Sequence, residues 1–195
     1  RKPSQTRKIF PESVTVLTHD QLCDHQYDAL INLAGAGIVD WPWTPRRIDE
    51  LYRSRIDYSQ KLFETLAQGN SLPPLLINAS AIGYYGFQGE TLLTESSPFS
   101  ESLVHDLCAR WEQVARNSAI EQVSCLRFSM VLGRNGGALS RLLPAFKLGL
   151  GGRIGDGAQW LSWVHIQDVI AIIEGRLLGR HCHEVINVCA PHPLT

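Results

Sequence analysis

Between residues 28 and 80 the chain reads DALINLAG (28–35), TPRRIDELYRSRIDYSQKLFETLAQG (44–69) and PLLINAS (74–80). The two outer segments are short, almost continuously apolar and bounded by glycine, proline or polar turns. That is the pattern of strands covered on both faces. In the middle segment Ile48, Leu51, Tyr52, Ile56, Leu62, Phe63 and Leu66 recur at helical spacing. Thr44 stands where an N-cap hydroxyl is wanted and Pro45 at the first helical position, with Gly69 as the stop. The spacing predicts one helix over residues 45–67, and strand, helix, strand predicts a parallel pair joined by a helical crossover.

Working outward, residues 123–132 (VSCLRFSMVL) and 184–189 (EVINVC) read as further buried strands, and 14–17 (VTVL) as a short one. A second helix is expected over 101–118, with Ser100 as N-cap and Leu103, Leu107, Trp111 and Val114 on one face. A third follows Gly136 and Gly137 and carries Leu142, Leu143 and Phe146; a fourth starts at Asp168, which caps 169–178. This alternation predicts an α/β fold with a doubly wound parallel sheet, Rossmann-like, in one domain over residues 1–195. In such sheets ligands bind beyond the carboxyl ends of the strands. The loops to read for chemistry are therefore 34–44, 80–97, 133–137 and 190 onward. Residues 145–165 and the C-terminal end are expected on the substrate side.

The 195 residues are 44% hydrophobic and 19% charged with a formal net charge of −1, so no global field favours nucleic acid or an anionic membrane. Arg1, Lys2, Arg7 and Lys8 form the one basic cluster. No apolar run reaches the ~20 residues of a spanning helix. The expected partner is a small molecule. Five cysteines, odd in number and without a Cys-x-x-Cys pair, fit reduced thiols in the cytoplasm. Adjacent side chains at His181, Cys182 and His183 do not converge, so no metal is expected there. The stretch 149–157 (GLGGRIGDG) has no Gly-x-Gly-x-x-Gly register, and no strand leads into it; it reads as a loop.

More informative are the strand ends: Asn32-Leu33-Ala34-Gly35, then Ser80 through Gly83-Tyr84-Tyr85-Gly86, Leu126-Arg127 through Val131-Leu132-Gly133, and Trp163-Val164-His165-Ile166 before Asp168. In this order they resemble the extended short-chain dehydrogenase/reductases. The closer similarity is to the atypical epimerase family branch, through Trp43-Thr44, Ser54-Arg55, Cys108-Ala109-Arg110-Trp111-Glu112, Leu143-Pro144 and Phe146 through Gly152. In the pattern of that family a strand, a glycine turn, a helix and a second strand come first, the last ending in a basic pair at the position of Arg1 and Lys2. The resemblance therefore implies that the first β-α-β unit, with its phosphate-binding turn, and a C-terminal portion are not in this chain. A basic pair at that strand end implies NADP rather than NAD, unless Arg1 and Lys2 are simply solvated charges. A homodimer is also implied.

Arg55 carries a physical hint of its own. On a helix it falls within the stripe of Ile48, Leu51, Tyr52, Ser59, Leu62 and Leu66, and a charge on a buried face needs a partner. That partner is a structural carboxylate or a cofactor phosphate or ribose. The resemblance implies cofactor contacts at Leu33, Ala34, Gly35, Glu50, Arg55, Ser80 and Val131, although Glu50 points away from the Arg55 stripe on an ideal helix. Small residues after Asn32 would let a flat ligand lie against the backbone.

Ordinary members of the superfamily pair a serine with Tyr-x-x-x-Lys, four residues apart on one helical face. Here no tyrosine is followed by that lysine; the helix offers Leu107/Trp111 or Cys108/Glu112 instead. Remaining candidates are Ser80, Tyr84 or Tyr85, and Cys108 if its pKa were lowered. His165 and Asp168 read either as an acid/base pair or as a corner residue and a helix cap. Trp41, Trp43, Trp160 and Trp163, with the 149–157 loop, are placed to wall an apolar pocket. The expected function is an NADP-dependent oxidoreductase or epimerase with an altered acid/base set. The competing readings are a non-catalytic dinucleotide-binding redox sensor and a structural subunit without cofactor.

Overall fold

Leu30, Ile31 and Asn32 pair in parallel with Leu76, Ile77 and Asn78, so the two strands of the opening pattern lie side by side with their asparagines in register. The computed structural model describes residues 10–38, 41–134, 137–153 and 155–195. Its strands are β1 (Leu30–Asn32), β2 (Leu75–Ala81), β3 (Gln122–Phe128), β4 (Met130–Gly133), β5 (Trp163–His165) and β6 (Val185–Val188). Its helices are α1 (Pro45–Arg53), α2 (Ile56–Gln68), α3 (Leu103–Arg116), α4 (Gly137–Lys147) and α5 (Ile166–Leu177). Four strands form a parallel sheet in the order β1-β2-β3-β6, and β4 and β5 make a separate parallel pair.

Both faces of the sheet are covered because successive strand side chains point to opposite sides. On one side Leu76 and Cys125 pack with Leu62, Phe63 and Leu66 of α2 and Ala115 of α3. On the other, Leu75, Ile77 and Leu126 pack with Val164, Val169 and Val188. Leu76 and Ile77 are fully buried, each contributing roughly 1.5–3 kcal/mol of transfer free energy. The doubly wound parallel architecture expected from the sequence is therefore present. Among the described residues no helix is long and apolar enough to cross a membrane.

Local departures have local causes. The expected single helix is broken at Ser54 and Arg55. There Ser54 Oγ donates to Leu51 O and accepts from Ala36 N, pulling the backbone out of the ladder. The long strand 123–132 splits at Ser129, whose N–H and hydroxyl both donate to Val188 O, and β4 then turns to β5. Residues 14–17 join no ladder and lead into a 3₁₀ turn, His19–Asp24. Ser102, not Ser100, caps α3, accepting from His105 N; the Ser100 N–H is already given to Tyr85 O. His165, not Asp168, caps α5, its Nδ1 accepting from Gln167 N.

Candidate functional site

The carboxyl edge of the sheet carries two distinct chemistries, one behind β1 and one beyond β2 and β6. Behind β1, the Thr44 hydroxyl accepts from Arg47 N and starts α1, and the break after α1 turns Arg55 inward. Arg55 is 6% exposed. Its guanidinium donates to Ala36 O (2.9 Å) and, at 3.4 Å each, to Leu51 O and Ser54 Oγ, and lies 5.2 Å from the Trp111 ring. These partners are all neutral. Burial lowers the Arg55 pKa, and the like charge of nearby Arg47 adds to the effect. The structural-carboxylate reading of this arginine therefore fails among the described residues. A Cβ at Gly35 would sit 2.9 Å from Arg55 Cζ, so its missing side chain makes room for the guanidinium.

The 33–37 turn is held from below. Asn32 Nδ2 donates to Asn78 Oδ1 (2.7 Å) and Ser59 Oγ (2.9 Å), and Asn32 Oδ1 accepts from Ala34 N. Leu33 is exposed on this turn. Glu50 faces outward, its carboxylate paired with Arg47 at 2.6 Å. Val131 pairs with Val164 in the small ladder. Arg1 and Lys2 lie outside the described residues, as does Gly136.

Beyond β2 a buried network takes up most of the expected acid/base groups. Ser80 Oγ donates to Glu112 Oε1 (2.7 Å). Arg127 grips both oxygens of that carboxylate, Nε at 2.8 Å and Nη2 at 3.0 Å, and Arg116 adds a contact at 2.8 Å. Desolvation alone would raise the Glu112 carboxyl, but hydrogen bonds from Arg127 and Ser80 hold it below its ordinary value. Arg127 Nη1 donates to the Tyr85 hydroxyl, which donates to Asn187 Oδ1 (2.7 Å). Its guanidinium also stacks 3.4 Å from the Tyr84 ring centroid. Cys108 is 3% exposed, and burial, followed by the Glu112 carboxylate, pushes its thiol up to about 11. The lowered pKa that an acidic Cys108 needs is thus reversed. Tyr84 is the expected candidate whose hydroxyl makes no hydrogen bond to a described residue.

The Glu112–Arg127 pair was missed by sequence reasoning, although the signal was there. Arg127 stands in the middle of an apolar strand, the same anomaly that singled out Arg55. His165, expected as a corner residue or an acid, is taken up as the cap of α5. Among the described residues no group of histidine, cysteine and carboxylate side chains is placed to hold a metal.

Facing this network is an open groove of about 790 Å³ between residues 82–93, 158–162 and 187–193. It lies at the carboxyl ends of β2 and β6, where a ligand is expected. Of the four tryptophans expected to wall a pocket, only Trp160 lines it. Trp43 donates Nε1 to Ile38 O, Trp163 donates to His192 O, and Trp41 stands in solvent.

Comparison with known proteins agrees with this architecture. A protein from Arabidopsis thaliana named epimerase family protein SDR39U1 homolog, chloroplastic, is 31% identical over the whole of this chain, which covers 58% of that protein. The crystal structure of human epimerase family protein SDR39U1 (isoform 2) with NADPH superposes with a TM-score of 0.82 at 32% identity, over 91% of this chain and 63% of that one. A nucleoside-diphosphate sugar epimerase from Corynebacterium glutamicum gives 0.73 at 29% identity, over 95% of this chain and 39% of that one. The chain thus spans little more than half the length of the curated relative. The family model described as NAD dependent epimerase/dehydratase family matches residues 14–189, and the chain belongs to that family.

Proposed function

We propose that this chain is the cofactor-holding part of an NADP-dependent oxidoreductase or epimerase acting on a small molecule. The observation that carries the reading is Arg55, a buried guanidinium at the carboxyl end of β1 with only neutral partners among the described residues. An anionic group laid against the 33–37 turn would balance that charge, and a dinucleotide phosphate or the ribose beside it has the right chemistry. Arg176 is likewise buried, but it is bonded to Ser124 and Gln122 at the amino end of β3, away from the edge where ligands bind. NADPH in the human relative supports the phosphorylated dinucleotide. Five free thiols accord with a reducing compartment such as the cytoplasm.

When bound, the nicotinamide supplies or accepts a hydride. The chain's own residues then have the proton to manage. Ser80 has its proton committed to Glu112, so its oxygen is left to accept. Tyr85 is committed to Asn187, and Cys108 is buried and neutral. Tyr84 Oη is the group left to carry the proton. A second reading, the non-catalytic redox sensor, is favoured by one observation. Four residues after Cys108 stands Glu112, locked in an ion pair, where ordinary members place an ammonium.

Titration of the full-length protein with NADPH and NADH, followed by nicotinamide fluorescence, tests both. NADPH is expected to bind more tightly than NADH. Arg55→Met is expected to weaken NADPH by about ten- to a hundredfold, the worth of a charge-assisted contact of roughly 1.5–3 kcal/mol. Arg55→Lys should recover part of it if charge is what matters. Binding of neither nucleotide sinks the proposal. Binding without turnover on carbonyl compounds and nucleotide sugars, together with an inert Tyr84→Phe, favours the sensor.

A further inference from the structure

The groove differs in character from the Arg55 site. Ile82, Phe87, Leu92, Leu93, Trp160 and Pro193 put apolar side chains on its wall. Phe87 and Leu92 are 89% and 90% exposed and Trp160 is 53% exposed, so large apolar side chains face open space there. Among the described residues Glu90 is the one charged residue lining it, and no arginine or lysine does so. A second carboxylate, Glu95, lies close by and accepts from Asn187 N. A diphosphate needs cations or converging N–H groups, and it would meet negative charge here instead.

The polar floor has a defined sense. Arg127 has only protons to give, so the Tyr85 oxygen accepts from it and the Tyr85 proton must go elsewhere. It goes to Asn187 Oδ1 at 2.7 Å, which fixes the amide orientation. The Asn187 Nδ2 hydrogens are then left as donors on a residue that lines the groove, with no described residue accepting them. The chain Glu112–Arg127–Tyr85–Asn187 thus ends in one oriented amide donor group at the floor of an otherwise largely apolar groove.

We infer that this groove takes an uncharged, largely apolar carbonyl compound or alcohol, its oxygen held by Asn187 Nδ2, and excludes nucleotide sugars. The inference rests on the oxidoreductase reading for the reaction, but it concerns a site separate from Arg55, so the two fail separately.

The test uses prodan, a neutral naphthyl ketone whose emission shifts to the blue in apolar surroundings. The expected result is saturable binding at one site, undisturbed by millimolar UDP-glucose. Asn187→Asp removes the donor with little change of shape and is expected to weaken binding about tenfold, the upper range for one hydrogen bond. Trp160→Ala, at a residue 53% exposed, is expected to weaken it by at least about fivefold through lost apolar contact. Displacement of prodan by UDP-glucose, non-saturable binding, or unchanged affinity in both variants overturns the inference. A parallel NADPH titration separates the two readings. Loss of NADPH binding with prodan retained removes only the cofactor proposal, and the reverse removes only the groove assignment.

Discussion

Replacing Glu112 with glutamine keeps the shape of the side chain and removes its charge. Four donors converge on this carboxylate: Ser80 Oγ, Arg127 Nε, Arg127 Nη2 and Arg116 Nη2. An amide offers one oxygen, so whichever way it turns, two of those donors meet an N–H instead of an acceptor. Arg127, with a side chain 3% exposed, keeps its charge and loses its counterion. Breaking one partner of a buried pair costs about 3–5 kcal/mol. Arg116 is partly solvated and finds water, which places the expected loss towards ~3 kcal/mol. Urea denaturation followed by far-UV circular dichroism reads this directly. With a slope of about 1–3 kcal/mol per molar, the midpoint should fall by roughly 1–3 M at unchanged slope. A loss below ~1 kcal/mol would refute the reasoning, because it would mean that Arg127 is solvated as a surface arginine is. The double variant Glu112→Leu, Arg127→Met should recover most of the loss, leaving the cost of the orphaned Ser80 hydroxyl.

The same carboxyl carries a pH signature whose sign follows from its depressed pKa. Its stabilisation is fully present above the unfolded value near ~4.3 and is lost as pH falls through the lower folded value. In Glu112→Gln that part of the acid slope should disappear. Asp106, held low by the Tyr52 hydroxyl and Arg110, should keep its own part.

Gly35→Ala places a methyl 2.9 Å from Arg55 Cζ, so the guanidinium must shift; a loss of about 1–3 kcal/mol in thermal denaturation is expected, with NADPH affinity falling as in Arg55→Met, and an unchanged protein would refute the packing argument. With a chromogenic disulfide at pH 8, the exposed Cys182 should react in the native protein, and Cys189, whose thiol partial burial pushes up, more slowly. Cys108 and Cys125, whose thiols burial pushes up to about 11 and about 12, should react only after denaturation; fast labelling of either in a native digest would contradict their placement.

What could be read from the sequence was local. Thr44 and Pro45 start α1 as expected, and the continuous apolar run in PLLINAS becomes a strand covered on both faces, Leu76 in one cluster and Ile77 in the other, because caps and short apolar runs are local signals. The breaks were not legible, since Ser54 is drawn to Ala36 and Ser129 to Val188, partners chosen by the crossovers rather than by sequence proximity. The buried arginines show the same limit more sharply. A cation inside an apolar pattern says that a partner is required but not which one. The fold gives Arg127 the carboxylate of Glu112, gives Arg176 the hydroxyl of Ser124 at the amino end of β3, and gives Arg55 only carbonyls, a hydroxyl and a ring. Of these three, Arg55 alone stands at the carboxyl edge without an anion among the described residues, and its one contact to a helix end, Leu51 O of α1, is long at 3.4 Å. The distinction between a structural arginine and a ligand-binding one therefore lies in the tertiary contacts, and it makes Arg55 the residue whose replacement is most informative.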